Sequence, residues 1–318
     1  MSTVAVLRGG PSSEYDVSML TGAGVLDALA KLGYSVKDVT ITRKGEWLHQ
    51  GFVRTPHQAL LGCDAAFIAL HGFYGEDGQV QRILERLGVP YTGSDAYASA
   101  LAMNKALTKE FLKKEGSVRM APHIRINREN TANLAQIVFN VTELFGPHYV
   151  VKPVGGGSSI GTRIVSKPDL FAAVNDSLAE MPEVLVEQKI EGKEATVGII
   201  EGFRGRDVYD LPPIEIIPPA SAGFFSAEVK YNGQTEEIVP GRFSRTEKET
   251  LGKVAAHVHR TLGLRQYSRS DFIVADDGVY FLEVNTLPGL TAQSLFPKAM
   301  ESVGSSYQQL VGHLIATL

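Results

Sequence analysis

The sequence predicts an α/β protein, α+β in its later part, built from several domains, and three observations lead there. Strand-like and helix-like apolar spacings alternate from Thr3 to Leu70, which is the βαβ rhythm of a parallel sheet. A glycine and serine loop interrupts two apolar runs in YVVKPVGGGSSIGTRIV, Tyr149 to Val165. Longer alternating strands follow, among them a pair flanking Asp276, Asp277 and Gly278. With 318 residues, 44% of them hydrophobic and 21% charged, the chain can bury more than one core.

The first segment, residues 1–94, reads as strand Val4 to Leu7, a helix with Val17, Leu20, Leu26, Leu29 and Ala30 at helical spacing, and strands Ser35 to Thr40 and Ala65 to Leu70. A helix from Gly78 to Leu87 stops at Gly88, a suitable left-handed terminator, and an extended piece runs on to Tyr91. The second segment, 95–183, opens with helices Ala96 to Ala102 and Lys105 to Lys114 and closes with a helix near Leu170 to Ala179, halted before Pro182. The third, 184–318, begins with strands Val184 to Gln188 and Glu194 to Ile200. Its later helix starts with a capping box, Ser244 to Glu247, and carries Leu251, Val254, Ala255, Val258 and Leu262 on one face. Between them lies an irregular stretch, Pro218 to Gly241. Such a loop inside a compact domain is uncommon unless it has a task, so 218–241 is a candidate lid.

Charge and composition exclude several classes. A net charge of −4, with both signs interleaved and no basic block, offers no field for a polyanion, which argues against a nucleic-acid partner. The single cysteine, Cys63, cannot form an intrachain disulfide, and MSTVAVLRGG lacks the basic and apolar regions of a signal peptide. No apolar run reaches the roughly 18 to 20 residues that span a bilayer. A cytoplasmic protein without a membrane partner is expected.

The glycine loop fits none of the common phosphate signatures. GxxxxGK[ST] fails because Thr162 and Arg163 follow Gly161, and GxGxxG fails at Ile160. What remains is a loop whose backbone N–H groups and hydroxyls can approach a phosphate closely, with Lys152 supplying a point charge from the preceding strand.

The second chemical cluster lies in YSRSDFIVADDGVYFLEVNTLPG, Tyr267 to Gly289, read as a hairpin. Alternation puts Arg269 with Asp271 on one face of the first strand and Glu283 with Asn285 on one face of the second. A three-residue loop with Gly278 left-handed would set Asp271 opposite Glu283 and Arg269 opposite Asn285, and this is the register we expect. A two-residue loop would set Asp271 opposite Val284. Two carboxylates about 4 Å apart repel by about 4 kcal/mol at an effective dielectric near 20, so a cation is required. Arg269 supplies part of it, and the all-oxygen set of Asp271, Glu283 and Asn285 suits Mg²⁺.

Seven segments then point to a family. LRGGPSSEYDVS, ALHGFYGEDGQVQ, YTGSDAYASALAMNKALTK, VVKPVGGGSSIG, LVEQKIEGKEATV, the Lys230-Tyr231 pair and EVNTLPGLTAQSL occur in the order and at about the spacing of the D-alanine:D-alanine ligase family, within the ATP-grasp superfamily. The resemblance covers nearly the whole chain. It implies an ATP-grasp fold of three domains, with nucleotide held between the central and C-terminal ones. It also implies ATP-dependent joining of two D-alanines through an acyl phosphate, for peptidoglycan precursor synthesis.

The resemblance further implies roles for individual residues. Lys152, Lys105, Ser159 and Lys230 resemble ATP-contacting groups. Glu187, Gln188, Lys189 and Ile190 match the strand that reads the adenine edge, and Glu194 the carboxylate on the ribose. Asp271, Glu283 and Asn285 match the ligands of two Mg²⁺ ions, for which Mn²⁺ is an expected substitute. Arg269 and the backbone N–H near Gly289 match the oxyanion-stabilising groups. Glu14 resembles the acid that holds the first amino acid's ammonium, with Ser158 and Tyr231 as its partners, while His71 and Ser294 fall where substrates are contacted. The family implies a homodimer. The Lys230-Tyr231 pair favours a dipeptide product over an alternative in which D-alanine is joined to D-serine or D-lactate. Departures from the family pattern are Gly155, Gly156, Asn104, Ser268, Ala292 and Gln293, the last two bearing on the second substrate.

Overall fold

The computed structural model describes residues 2–157, 160–219 and 235–318, without the side chains of 130–132. The first sheet contains β1 (Thr3–Gly9), β2 (Ser35–Ile41), β3 (Trp47–His49), β4 (Phe52–Arg54) and β5 (Ala65–Ile68), in the order β4-β3-β2-β1-β5. β1 pairs in parallel with both β2 and β5, and that central position explains its unbroken run of buried Val4, Ala5, Val6 and Leu7. The β3 and β4 pair was not expected; three residues per strand are too few for a periodic signal. Helix α1 (Tyr15–Lys31) follows β1, α2 (Pro56–Leu60) precedes β5, and α3 (Gln79–Leu87) ends at Gly88 in the left-handed conformation, φ 65°. The loops that leave β1 and β5 emerge at the carboxyl ends of parallel strands, where open α/β sheets place their ligands.

Helices α4 (Ala96–Met103) and α5 (Lys105–Glu115) lead into an antiparallel sheet of β6 (His123–Asn127), β7 (His148–Pro153), β8 (Arg163–Ser166) and β9 (Glu183–Gln188), ordered β6-β9-β7-β8. Helices α6 (Leu134–Leu144) and α7 (Leu170–Glu180) contribute Val138, Val141, Leu170 and Val174 to its core, with Val151, Val184 and Val186 from the strands. The expected boundary at Val184 is corrected here. The strand that was to open the third segment is β9, hydrogen-bonded between β6 and β7 in the second sheet.

The third sheet comprises β10 (Lys193–Glu201), β11 (Val208–Asp210), β12 (Ile214–Ile217), β13 (Glu236–Ile238), β14 (Tyr267–Ala275) and β15 (Gly278–Asn285), ordered β13-β12-β10-β14-β15 with β11 also on β10. Of the stretch expected to be irregular, 220–234 lie outside the described residues, and β13 forms within the remainder. Helix α8 (Arg245–Thr261) has both bonds of its capping box, Glu247 N to Ser244 Oγ at 3.3 Å and Ser244 N to Glu247 Oε2 at 2.6 Å. It buries Leu251, Ala255 and Val258 against the sheet. The last helices, α9 (Leu295–Ser302) and α10 (Tyr307–Ala316), return to the first core, where Leu310, Val311 and Leu314 join Val25 and Leu29.

The hairpin corrects one premise and preserves its consequence. The loop is two residues, Asp276 and Asp277, with Ala275 opposite Gly278, not the three residues expected. Continued evenly, that pairing would carry Asp271 to Leu282, not to the Val284 expected of a two-residue loop. A β-bulge leaves Leu282 without a partner, so Phe272 faces Phe281 while Asp271 faces Glu283 and Arg269 faces Asn285.

Candidate active site

Strand pairing places the phosphate-side cations. Val150 lies opposite Glu187 in the β7–β9 pair, so Lys152, two residues on, projects from the same face as that carboxylate. The Lys152 Nζ and Lys109 Nζ atoms are both 2.9 Å from Glu187, one on each oxygen. All three groups are buried. Burial alone would raise the Glu187 pKa, but Lys109 and Lys152 bring it down to about 2, so the carboxylate stays ionised between two cations. Lys109 was not among the expected site residues. Its signal was present in MNKALTK, because Lys105 and Lys109 are one helical turn apart on α5.

Lys105, at the start of the same helix, turns to the opposite wall of the cleft. Its Nζ lies 2.6 Å from the Gly156 carbonyl and 3.2 Å from Glu283 Oε2. Asp271, opposite Glu283, takes two bonds from Arg269, Nε to Oδ1 at 3.0 Å and Nη2 to Oδ2 at 2.9 Å. Thr196 Oγ1 donates to Asp271 Oδ1 at 2.6 Å, and Asn285 Nδ2 to Oδ2 at 3.4 Å. Burial works against the Arg269 charge, but Asp271, Glu283 and Glu76 outweigh it and push its pKa up. The expected donors Asp271, Glu283 and Asn285 therefore share one face. Among the described residues no group of three His, Cys, Asp or Glu is gathered closely enough to hold a metal. The chain offers two carboxylates and an amide, which fits a hard divalent cation that completes its shell from water and phosphate.

Two cavities meet at this point. One, of 190 Å³, is lined by Lys152, Glu187, Gln188, Lys189, Ile190, Glu194, Asp271 and Leu282. The other, of 940 Å³, is lined by Glu14, His71, Glu76, Arg269, Asn285, Gly289 and Ser294. Lys105, Gly156, Gly157 and Glu283 line both. Among the described residues, the smaller cavity thus collects those expected at the nucleotide, and the larger collects those expected at the amino acids.

The larger cavity is framed by loops from two sheets. Glu14, just before α1, sits between Gly72 and Gly157: a Cβ built on either would stand 2.7 Å or 3.2 Å from Glu14 Oε2. His71 is buried, with Nε2 2.9 Å from Thr21 Oγ1 and Nδ1 3.0 Å from the Leu287 carbonyl. Burial, opposed by Glu14, lowers its pKa, which favours a neutral ring. Glu76, not among the expected residues although it lies in the quoted HGFYGEDG, is also buried; burial and the Glu14 charge push it up to about 8. Ser294 Oγ accepts from Thr291 N at 3.1 Å beside Gly289.

Ser158, Ser159, Lys230 and Tyr231 lie outside the described residues. Three departures have local explanations. Asn104 caps α5, its Oδ1 accepting from Leu107 N at 3.0 Å, which is the task an aspartate would perform there. Ser268 is fully buried and bonded to His259 Nδ1 at 2.7 Å. Gly156 has φ +105°, a conformation that a side chain would strain, and its surroundings are open. Ala292 and Gln293 are exposed on the wall of the larger cavity.

An antiparallel central sheet facing a second sheet across a lysine-lined cleft, with carboxylates on the far wall, defines the ATP-grasp class. The match to solved structures carries this further. The chain superposes on the D-Ala:D-Ser ligase VanG from Enterococcus faecalis with a TM-score of 0.84 at 26% identity, covering 99% of each chain. It superposes on D-alanine–D-alanine ligase from Bacillus anthracis complexed with ATP with a TM-score of 0.81 at 31% identity, covering 100% of this chain and 97% of that one. The D-alanine–D-alanine ligase of Syntrophotalea carbinolica is 39% identical over 317 residues, which are 98% of this chain and 95% of that protein. The model of the D-ala D-ala ligase C-terminus matches residues 112–316, and that of the N-terminus matches 3–59 and 49–94. The chain belongs to the D-alanine–D-alanine ligase family.

Proposed function

We propose that this protein joins two D-alanine molecules at the expense of ATP, as the names of its relatives describe, and so supplies a dipeptide for peptidoglycan precursors. The observation that carries the reading is the shared wall of Lys105, Gly156, Gly157 and Glu283 between the two cavities. A site where a phosphoryl group passes from a nucleotide to a neighbouring small molecule needs such a junction, and here a lysine and a carboxylate stand at it. A carboxylate alone does not react with an amine because oxide is a poor leaving group; phosphorylation to an acyl phosphate removes that obstacle.

In this reading Lys105 and Lys152 hold the phosphates, and Glu187 to Ile190 with Glu194 hold the nucleoside. Glu14 holds the first ammonium; Arg269 and the Gly289 N–H face the oxyanion that forms when the second amine attacks. Ser294 and His71 border the second amino acid, and Ser158, Ser159, Lys230 and Tyr231 keep their expected roles as proposals. Asp271, Glu283 and Asn285 would hold Mg²⁺, as two ions, or Mn²⁺ in its place; the bound cation would offset phosphate charge. The three domains are proposed as 1–94, 95–188 and 189–318, the second boundary moved from 183/184 so that β9 falls in the central domain. A homodimer, a cytoplasmic setting, and the absence of nucleic-acid or membrane partners complete the proposal. Among the described residues, no helix is long and apolar enough to cross a membrane.

A second reading, D-alanine joined to D-serine or D-lactate, draws on Ala292 and Gln293 in the cavity wall and on the likeness to a D-Ala:D-Ser ligase. ADP release measured with D-alanine, L-alanine, D-serine and D-lactate separates the readings. Turnover with D-alanine alone supports the first. Equal or better turnover when D-serine or D-lactate is added as partner favours the second, and no nucleotide turnover with any of them overturns both.

A further inference from the structure

We propose that His71 and Glu76 clamp the backbone of Leu287, one at its C=O and the other at its N–H, and so fix the direction of the Gly289 N–H toward the reacting carbonyl. The inference rests on the ligase reading above and concerns how that site is held together.

The two residues come from the loop after β5, and Leu287 from the loop after β15, more than two hundred positions away in sequence. A carbonyl can only accept, so the 3.0 Å contact with Leu287 O requires the proton on His71 Nδ1. Nε2 of the neutral ring then accepts from Thr21 Oγ1 at 2.9 Å, and the ring is anchored to α1. On the other edge of the same residue, Leu287 N donates to Glu76 Oε2 at 3.4 Å, while Glu76 Oε1 accepts from Gly72 N at 2.9 Å. The side chain supplies a third hold. Leu287 is 2% exposed, and a Cβ built on Gly93 would stand 2.7 Å from its Cδ2.

What the clamp controls follows from covalent geometry. Between the held Leu287 carbonyl and the Gly289 N–H stand a planar peptide bond and Pro288, whose ring locks φ. One soft torsion, ψ of Pro288, is left. A fixed Leu287 therefore leaves the Gly289 N–H little freedom, and Gly289 lines the larger cavity with Arg269. His71 was expected to contact substrate; with both ring nitrogens engaged inside the protein, it acts here as a positioning residue.

The test uses the full chain with three His71 variants. Asn places an N–H near the Nδ1 position, Gln places its amide further out, and Ala supplies neither. Loss of an oxyanion donor costs about 10² to 10³ in kcat, so a donor left in place but misdirected should cost roughly tenfold to a hundredfold. The expected result is that fall in kcat for His71→Ala and His71→Gln, recovery of most of it in His71→Asn, and a KM for ATP changed by less than about twofold. Amide hydrogen exchange over 286–291 should quicken in the Ala and Gln variants and not in Asn. Glu76→Gln must lose one of its two N–H bonds, so it should quicken the same segment, and combined with His71→Gln should cost less than the product of the single losses. Gly93→Ala, pressing on Leu287 from the third side, should act alike.

Equal losses in the Asn and Gln variants with unchanged exchange would overturn the clamp, and so would losses that multiply independently. A rise confined to the KM for D-alanine would overturn it in favour of direct substrate contact. Failure of the wild-type chain to make dipeptide would instead count against the proposed function, and the exchange measurement would still judge the clamp.

Discussion

The Lys105 ammonium lies 3.2 Å from Glu283 Oε2 and 2.6 Å from the Gly156 carbonyl, so one cation joins the glycine loop to the acid face. The arrangement offsets part of the repulsion between Glu283 and Asp271, which has its own cation in Arg269. Phosphate oxygens entering the cleft would compete with Glu283 for this lysine, and a divalent cation would compete with the lysine for Glu283.

Glu283→Gln should therefore lower turnover by at least about a hundredfold, because removing one of two carboxylates removes several kcal/mol of charge stabilisation. The fold should survive, since Glu283 is only partly buried. ADP release and a thermal melt of the same preparation check this. Near-wild-type turnover would remove Glu283 from the metal set.

Lys109→Met should destabilise the protein by about 3 kcal/mol, since it takes one of two cations from a buried carboxylate. The acid response gives a separate measurement. The folded pKa of Glu187, about 2, is below its unfolded value, so its contribution to stability is present above about pH 4.5 and is lost as pH falls toward 2. Melts of Glu187→Gln across that window should fall less steeply than wild type; parallel curves would contradict the ion-pair account.

Glu76 has the opposite sign. Its folded pKa of about 8 is above the unfolded value, so the stability it contributes is complete below about pH 4.5 and is lost as pH rises through 8. Glu76→Gln carries no titrating group. The melting temperature of the variant relative to wild type should therefore rise steadily from pH 4.5 to 8, and a pH-independent difference would show that Glu76 ionises normally.

Leu282→Ala should raise the KM for ATP about tenfold and leave that for D-alanine unchanged. The bulge turns Leu282 and Glu283 to the smaller cavity together. Truncation to Ala removes apolar contact worth about 1.5 kcal/mol from the proposed nucleotide pocket. An unchanged KM for ATP would place the nucleoside elsewhere.

Much of the scaffold was legible because its signals are local. The β1–α1–β2 rhythm, the stop at Gly88 and the capping box at Ser244 each lie within a few residues of sequence. The alternation that puts Arg269 beside Asp271 and Glu283 beside Asn285 is equally local, and the structure preserves it. Where the reading failed, a partner from elsewhere in the chain decided. The strand Glu183–Gln188 joined the second sheet because β6 and β7 offered it two edges, which nothing inside the strand reveals. The hairpin loop was one residue shorter than expected, and the Leu282 bulge made up the difference in register.

By itself, then, the sequence determined most of the element types and the family, and it named many of the residues that line the two cavities, because periodicity, capping and motif order are properties of neighbouring residues. Tertiary structure alone decided which charges meet: Lys109 and Lys152 on one buried carboxylate, Lys105 on Glu283, His71 and Glu76 on the Leu287 backbone. The physical reason is that electrostatic and hydrogen-bond energies depend on distance and burial, and the chain acquires both only when its three sheets have packed.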